Sequence, residues 1–369
     1  MKNQYIIFII ISLCICGGCT KHSPSNACGN STFPSDFTSR NFKMGFTTFP
    51  YAADYNARIS TYNFIGNNSD IYSEQFDNYI PWKALINNIA LPKDLTDDIA
   101  SRLSLKPAGK QLMLSVSLLN IMRDGLLADI DGSLPAVTSI NDTSILNAYN
   151  KYVSYLVDQF HPDFLVIGME VNEFRIKKPN QWADYLSLTG SVTATLKQKY
   201  PGLKISASVT LHNWYLPNVV NPDAFIQEIA DYENAQDFVA ISFYPFLKGL
   251  ATKADFQKAF DFLYTQAKKP IAFTETGHIA ENLDITSFGI SIPSDPCKQN
   301  DYMESLLTNA RIHNYAFIIW WTHRDYDVLW QTFPDSTKDI GRIWRDTGLQ
   351  DENGVDRVAL HTWQLALQK

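Results

Sequence analysis

Short runs of apolar residues recur along most of the chain, and longer stretches with apolar residues at helical spacing separate them. Thr143–Gln159 and Trp182–Tyr200 are two of the helical stretches. Strands that are apolar at nearly every position and alternate with helices are typical of a parallel sheet buried on both faces. The runs that we predict as strands are Phe42–Phe49, Asp70–Phe76, Lys110–Leu119, Phe164–Val171, Lys204–Leu211, Phe238–Phe243, Pro270–Thr274 and Ala316–Trp321.

Eight strand and helix units in sequence predict an α/β fold, a (β/α)₈ TIM barrel formed as a single domain by residues 41–369. The spacing of the predicted strands fits units of about 30 residues or more with insertions in the loops. A doubly wound sheet is the structural alternative. We favour the barrel because no GxGxxG motif follows the first strand and no phosphate-binding P-loop motif is found in the sequence.

The first residues predict export. A polar start with Lys2 precedes the apolar run Tyr5–Cys16, which is too short to span a bilayer and has the length of a signal-peptide core. Gly17-Gly18-Cys19 resembles the lipobox of bacterial lipoproteins. We therefore predict a signal peptide at 1–18, lipidation of Cys19 and attachment to the bacterial cell envelope, with simple secretion as the alternative. Residues 19–40, rich in Ser, Thr, Asn and Pro, are predicted to form a flexible tether.

Two cysteines, Cys28 and Cys297, remain after the predicted processing site. An exported chain could join them in a disulfide. The sequence gives no distance between them, so a bond and two free thiols both stay open.

Composition excludes several classes of protein. Apolar residues make up 45% and charged residues 19% of the 369 positions, which excludes a disordered chain. The net charge of −7 and the lack of a basic cluster exclude nucleic acid as a partner. The seven His are scattered, and neither HExxH nor GxSxG occurs. We therefore expect no metal and no cofactor, and we expect a monomer.

The predicted barrel indicates where the active site lies, because active sites of this fold lie at the carboxyl ends of the strands. The polar residues that end each predicted strand are therefore the candidates. The fourth run ends in Glu170, Asn172 and Glu173, and the seventh ends in Glu275 and His278. Carboxylates at these two strand ends face one another across the barrel mouth. That arrangement is the one needed for glycoside hydrolysis by two carboxylates.

The order and spacing of several motifs resemble the superfamily of retaining (β/α)₈ glycoside hydrolases with catalytic Glu on strands four and seven. These motifs are the two acidic strand ends, FVAISFYPF at strand six, Trp320-Trp321 at strand eight and the closing DTGLQDENGVDRVALHTW. SDIYSEQFDNYIPW and YPFL are most similar to the endo-β-1,4-galactanase (arabinogalactan galactanase) branch. The resemblance implies Glu170 as general acid/base and Glu275 as nucleophile, with Tyr244 in contact with the nucleophile.

One position departs from that superfamily, which usually has Asn directly before the acid/base, bonded to the 2-hydroxyl of the sugar. This chain has Met169 there. Taking Asn172-Glu173 as the motif would restore the Asn, but strand alternation places Glu170 and Glu173 on opposite faces. We prefer Glu170 and keep Glu173 as the alternative.

The chemistry requires different protonation states of the two carboxyl groups. We expect burial and the charge of Glu275 to raise the pKa of Glu170, so that Glu170 can act as the acid, while Glu275 stays ionised to attack. Trp rings at strand ends are candidates for stacking on sugars, although only one or two of them are expected to bind substrate. The predicted substrate contacts are Asn172, Tyr244, His212, Trp82, Trp320 and Trp321, with Trp214, Asn213, Arg123, His323, Arg324 and Asp325 as weaker candidates.

These observations predict a retaining glycoside hydrolase that cleaves a β-linked polysaccharide or oligosaccharide, in the manner of a galactanase. The alternative is a lipid-anchored protein that binds glycans on a degenerate hydrolase barrel. Met169 motivates this alternative, because loss of the 2-hydroxyl contact removes transition-state stabilisation. The sugar, the linkage and the choice between endo and exo action stay open.

Overall fold

Strands and helices alternate along residues 37–369, which together with Cys28 are the residues that a computed structural model of this chain describes. The strands are β1 Lys43–Thr47, β2 Ile71–Phe76, β3 Gln111–Val116, β4 Phe164–Val166, β5 Lys204–Ser206, β6 Ser208–Thr210, β7 Val239–Phe243, β8 Ile271–Thr276, β9 Leu283–Ile285, β10 Ile290–Ile292 and β11 Phe317–Trp320. The helices are α1 Tyr55–Asn68, α2 Trp82–Asn87, α3 Lys93–Leu105, α4 Thr143–Phe160, α5 Val171–Lys177, α6 Trp182–Lys199, α7 Leu211–Tyr215, α8 Pro222–Asn234, α9 Lys253–Gln266, α10 Pro296–Ile312, α11 Asp327–Gln331, α12 Asp335–Arg342 and α13 Val358–Leu367.

The predictions for the first residues fall largely outside this range. The signal peptide, the lipidation of Cys19 and most of the tether lie outside the described residues. Among the residues that are described, no helix combines the length and the apolar character that a bilayer crossing requires.

Parallel pairing closes the sheet into a barrel. The pairing order is β5-β4-β3-β2-β1-β11-β8-β7-β6. Its two ends, β5 and β6, are halves of the single run 204–210 that are separated only by Ala207. This run pairs with β4 through its first half and with β7 through its second, so eight barrel strands form a closed ring. The predicted (β/α)₈ fold is confirmed. Seven of the eight predicted runs contain the strand or strands expected of them, and β8 extends beyond the predicted run Pro270–Thr274 to Thr276.

Two layers of apolar side chains explain why the strands are apolar on both faces. The larger layer lies between the sheet and the helices. The smaller layer fills the inside of the barrel, where the ring of Phe164 lies 4.7 Å from that of Phe317 and 5.7 Å from that of Phe238. Because the interior is packed, a ligand has room only at the mouth.

Helix α4 fixes the end of the fourth barrel strand. Asp142 caps the helix by accepting a hydrogen bond from the amide of Ser144, and the apolar face of the helix is buried. The hydroxyl of Tyr149 donates towards the carbonyl oxygens of Val116 at 2.9 Å and Ile167 at 2.6 Å. These contacts hold together the ends of β3 and β4, where the chain turns into the mouth.

A disulfide joins Cys28 to Cys297, with their Cα atoms 5.1 Å apart, which resolves the pairing that the sequence left open. Cys297 lies in the first turn of α10, while Phe37 packs beneath the guanidinium of Arg311 in the last turn of that helix. Residues 28 and 37 therefore lie at opposite ends of α10.

Strand β1 and strand β2 approach so closely that a side chain at Gly45 has no room. An added Cβ would lie 1.9 Å from the carbonyl oxygen of Ile71, whereas one added at Gly66 in α1 would meet nothing within 4 Å. We expect Gly45→Ala to lower the free energy of unfolding by about 1–3 kcal/mol or more, because the two backbones must move apart. Gly66→Ala, the matched control, should raise it by up to about 1 kcal/mol. Urea unfolding followed by circular dichroism measures both, and equal midpoints for the two variants would contradict this packing.

Candidate active site

A cavity of about 600 Å³ opens at the carboxyl ends of the barrel strands. The end of β2, the loop between β3 and α4, the turn after β4, β8 and the segment after β11 contribute to its wall. Its charged lining residues are Asp77, Arg123, Glu170 and Glu275. The predicted pair of glutamates from the fourth and seventh barrel strands therefore shares one cavity.

Glu170 lies in a turn and not in a strand. Strand β4 ends at Val166, and Glu170 has a φ of 54°, a left-handed conformation that a residue with a side chain rarely adopts. Ser208 holds this turn by accepting the backbone amide hydrogen of Glu170 at 3.1 Å. The alternation argument used to separate Glu170 from Glu173 therefore does not apply here. Backbone conformations of this kind cluster at functional sites.

Both oxygens of the Glu170 carboxylate accept hydrogen bonds. Arg123 donates to Oε2 from Nη2 at 3.1 Å and from Nε at 3.3 Å. Ser242, on β7, donates its hydroxyl hydrogen to Oε1 at 2.9 Å. Only 16% of the Glu170 side chain is exposed, so this ion pair is largely shielded from water.

Glu275, on β8, is held by neutral donors. The hydroxyl of Tyr244 donates to its Oε1 at 2.6 Å, and the amide of Gln75 donates to its Oε2 at 3.1 Å. Tyr244 is fully buried, and burial followed by the charge of Glu275 raises the pKa of its phenol well above the ordinary value. The phenol is therefore a donor at neutral pH, which fits the predicted contact between Tyr244 and Glu275.

The pKa of Glu275 is raised, whereas the sequence led us to expect this group to stay ionised. Burial, followed by the negative charge of Glu170, raises the pKa of Glu275 to about 8. The direct partners of Glu275, Tyr244 and Gln75, are neutral, so their hydrogen bonds offset this rise only in part. Burial and the charge of Glu170 therefore favour the protonated form of Glu275 at neutral pH in the free protein.

Glu173 and Asn172 lie on α5 and point away from the cavity. The carboxylate of Glu173 accepts hydrogen bonds from Thr210 and Asn213 at 2.5 Å each. Asn172 is fully buried and exchanges hydrogen bonds with the backbone of Thr210 at 2.8 and 3.0 Å. Both side chains attach α5 to β6, so the structure brings Glu170 to Glu275 but does not bring Glu173 there.

Of the predicted tryptophan contacts, only Trp321 lines the cavity. Trp82 and Trp320 belong to the core, and the prediction for them is corrected. The indole of Trp82 donates to the carbonyl of Leu127 at 2.7 Å, and that of Trp320 donates to the carbonyl of Thr347 at 2.8 Å. Trp214 is likewise fully buried. These rings satisfy their N–H groups inside the protein and support the cavity wall from behind.

The remaining predicted contacts are also part of the structure around the cavity. His212 is buried, and burial lowers its pKa to about 4, so its ring is neutral at pH 7. His278 and His323 are buried as well. Arg324 lies over the ring of Tyr51 at 4.0 Å. Asp325 accepts a hydrogen bond from Arg357, at 2.9 Å.

Sequence reasoning missed a charged lining residue of the cavity, Asp77, and two residues that contact the glutamates, Gln75 and Ser242. Gln75 and Asp77 lie at the end of β2, and inspection of the polar residues that end each strand run would have found them. Burial raises the pKa of Asp77, while the nearby charge of Arg123 opposes this effect. Ser242 is apparent only from the structure, because it lies within an otherwise apolar strand.

Aromatic rings form one side of the cavity. The ring of Phe49 lies 5.0 Å from that of Trp321 and 5.1 Å from that of Tyr326. Phe333 and Trp344 extend this wall. These rings come from segments far apart in the sequence, so no local motif indicated that they would meet. Rings of this kind can pack on the C–H faces of sugars.

Two groups of carboxylates outside the cavity lie close enough together to be considered as cation ligands. Arginines bridge both groups. Arg357 contacts two members of the first group at 2.7 Å each, and Arg345 contacts two members of the second at 2.7 and 3.3 Å. We therefore interpret them as arginine–carboxylate networks that fix the segments after β8 and β11. The groups are Glu281, Asp325 and Glu352, and Asp325, Asp327 and Asp346.

Comparison with known proteins agrees with this geometry. Residues 142–333 match the model of glycosyl hydrolase family 53. A GH5_18 structure from Streptomyces cattleya in complex with GlcNAc aligns with a TM-score of 0.66 and 14% identity over 90% of this chain and 80% of that one. A GH5_18 protein from Bifidobacterium longum in complex with Manβ1-4GlcNAc aligns with a TM-score of 0.63 and 15% identity, over 89% of this chain and 78% of that one.

A structure from the same family is also similar. The GH53 catalytic domain of Ignisphaera aggregans aligns with a TM-score of 0.55 and 17% identity over 88% of this chain and 96% of that domain. At such identities the structural likeness concerns the fold. No match was found among curated protein sequences.

The barrel and the family match together define a (β/α)₈ glycoside hydrolase. The family match covers more than half of the chain and includes both Glu170 and Glu275. The chain belongs to glycosyl hydrolase family 53.

The raised pKa of Glu275 predicts how stability depends on pH. An unfolded chain releases this proton near the ordinary pKa of 4.5, whereas the folded protein keeps it up to about 8. Between these values the folded state binds more protons, so raising the pH through this window lowers the free energy of unfolding. Glu275→Gln removes the effect. We therefore expect the stability of this variant relative to the parent to grow by about 1–3 kcal/mol between pH 5 and pH 9.

Urea unfolding at pH 5, 7 and 9 measures this difference. Glu173→Gln is the control for removing a carboxylate near the mouth. A stability difference between Glu275→Gln and the parent that stays constant with pH would show that Glu275 titrates normally.

Proposed function

We propose that this protein is a retaining glycosidase that cleaves β-linked polysaccharides or oligosaccharides, with Glu170 as general acid/base and Glu275 as nucleophile. One observation carries the proposal. Two shielded carboxyl groups from the fourth and seventh barrel strands share one cavity, and each raises the energetic cost of ionising the other.

The proposed first step forms a bond between Glu275 and the sugar. A carboxylate oxygen of Glu275 attacks the anomeric carbon, the glycosidic bond breaks, and Glu170 transfers its proton to the departing oxygen. Tyr244 and Gln75 hold the attacking carboxylate in one orientation by donating to its two oxygens. Orienting the nucleophile in advance lowers the entropic part of the barrier.

The second step releases the sugar. The Glu170 carboxylate accepts a proton from water while that water attacks the anomeric carbon, and the bond to Glu275 breaks. The free enzyme therefore returns to its initial state with one proton on the pair. The reactive form before the first step carries this proton on Glu170 and leaves Glu275 ionised.

The lining supports a neutral glycan as substrate. Three of the four charged lining residues are acids, and the one cation, Arg123, is already paired with Glu170. A sugar that carries a carboxylate would be repelled. The family match favours a galactanase-like specificity, while the similar structures with GlcNAc and Manβ1-4GlcNAc bound make β-linked mannosides a second group to test.

A second candidate function is glycan binding without catalysis. Met169 favours it, because this side chain lines the cavity directly before Glu170 and offers the sugar no hydrogen bond of the kind that an Asn offers. The hydrogen bonds made to Glu275 argue for the enzyme, since a binding protein has no need of an oriented nucleophile.

The cellular location stays a proposal. A lipid anchor at Cys19 would attach the barrel to the bacterial cell envelope, and secretion is the alternative. The bond between Cys28 and Cys297 supports export in either form, because disulfides persist in oxidising compartments. A monomer likewise stays a prediction.

Substitution of each glutamate tests the proposal. We expect Glu170→Gln and Glu275→Gln to lower kcat on the best substrate by about 10²-fold to 10⁴-fold or more, because each removes a group used in the chemical step. Glu173→Gln should change kcat by less than about threefold, since that side chain does not reach the cavity. Release of reducing sugars from β-1,4-galactan, β-mannan and other β-linked glycans measures this.

The outcomes separate the two candidate functions. Loss of activity in Glu170→Gln and Glu275→Gln with retained binding of the same glycan supports the enzyme. Glycan binding by the parent protein without product release from any member of the panel supports the non-catalytic function. Full activity of Glu275→Gln would exclude Glu275 as the nucleophile.

A further inference from the structure

The loop between β3 and α4 places one cation against the proposed acid/base. Arg123 contacts Oε2 of Glu170 through both Nε and Nη2, and its own side chain is only 9% exposed. Within residues 37–369, this is the one ion pair made by either glutamate of the cavity. Because Arg123 lies in an irregular loop, the sequence did not indicate that it would contact Glu170.

The backbone of this loop holds the guanidinium group in place. The carbonyl oxygen of Asn120 accepts hydrogen bonds from both the backbone amide and Nη1 of Arg123, at 2.9 Å each. Arg123 itself has a φ of 52°, and the amide of Asn120 donates to the carbonyl of Gly125 across the same turn. Arg123 therefore lies in a closed turn in a left-handed conformation, and its guanidinium group is hydrogen-bonded both to the loop backbone and to Glu170. Such an arginine is held in place before substrate binds, unlike a flexible arginine on the surface.

We propose that Arg123 is a positioning residue of the active site, which holds Glu170 ionised at Oε2 in the free protein and thereby sets how the glutamate pair shares its proton. This inference rests on the proposed function of the pair. It concerns a residue outside the two carboxyl groups that react.

The donor chemistry determines which oxygen of Glu170 can carry the proton. A guanidinium group has only hydrogen-bond donors, so Oε2 stays unprotonated while Arg123 is in place. Ser242 faces Oε1, and a hydroxyl can reverse from donor to acceptor when that oxygen gains a proton. Arg123 and Ser242 together therefore assign the charge to Oε2 and the transferable proton to Oε1.

Arg123 is the dominant cation next to Glu170 and Glu275, because the other titratable groups around these two residues are acidic or neutral. Asp77, at the end of β2, lies in the field of Arg123 and of Arg102. Tyr244, at the end of β7, donates to Glu275. Burial keeps Tyr244 and His212, on α7, neutral at pH 7. The charge of Arg123 opposes the rise of the pKa of Glu275 that burial and Glu170 cause. Its removal should therefore raise the pKa of Glu275 further.

The pH profile of kcat/KM on the best substrate tests the proposal. In Arg123→Gln we expect the whole profile to move to higher pH by about one unit, because removal of a positive charge favours the protonated forms. Arg123→Lys keeps the charge and should restore the position of the profile, although its rate should stay lower because an ammonium group lacks the two-point contact. Asp124→Asn, an exposed position on the same turn, is the control and should leave the profile unchanged.

A lower rate with an unmoved profile in Arg123→Gln would overturn the proposal and leave Arg123 a support of the loop. A second readout needs no activity. The pH window in which urea stability falls belongs to the same glutamate pair, so it should also move to higher pH by about one unit in Arg123→Gln. If no glycan is hydrolysed, the proposed function fails while the urea measurement still decides whether Arg123 sets the proton distribution. An unmoved window would contradict it.

Discussion

The placement of two carboxyl groups in one shielded cavity is the interaction on which the rest of this site depends. Ionising both groups at once is unfavourable, because each lies in the field of the other and away from bulk water. The protein meets this constraint with unequal partners. An arginine and a serine hydroxyl face Glu170, while a buried phenol and an amide face Glu275. This asymmetry gives two chemically identical side chains different surroundings, which the proposed division into an acid/base and a nucleophile requires.

The packed interior of the barrel makes this arrangement possible. The inside of the ring is filled by aromatic and aliphatic side chains, so strand positions near the mouth are free to carry polar groups. Hydrogen bonds made by buried side chains around the cavity hold the site in place. Tyr149 fixes the end of β4, Asn172 attaches α5 to β6, and Trp82 donates to the backbone of the cavity wall. Residues that were expected to touch sugar thus support the residues that line the cavity.

The sequence was sufficient for the fold and for the placement of Glu170 and Glu275 in one cavity, because both follow from periodic patterns. Apolar runs such as Phe238–Phe243 have one physical meaning in this context, and strand ends in a barrel all meet at one mouth. The prediction was less accurate where the chain leaves regular structure. The left-handed turn at Glu170 ended β4 early, and it placed Glu173 on a helix instead of the opposite face of a strand. The partner of Glu170 could not be predicted, because Arg123 reaches it from an irregular loop. The aromatic wall likewise depends on contacts between distant segments.

The central claim is that Glu275 forms a covalent bond with the sugar. Its most direct test is mass spectrometry of the protein after incubation with an activated 2-deoxy-2-fluoro glycoside, which slows release of the intermediate more than its formation. The account predicts one added fluoroglycosyl unit per chain, located by peptide sequencing on Glu275 and absent in Glu275→Gln. An adduct on another carboxylate, or rapid hydrolysis of natural substrate with inversion at the anomeric carbon, would contradict it.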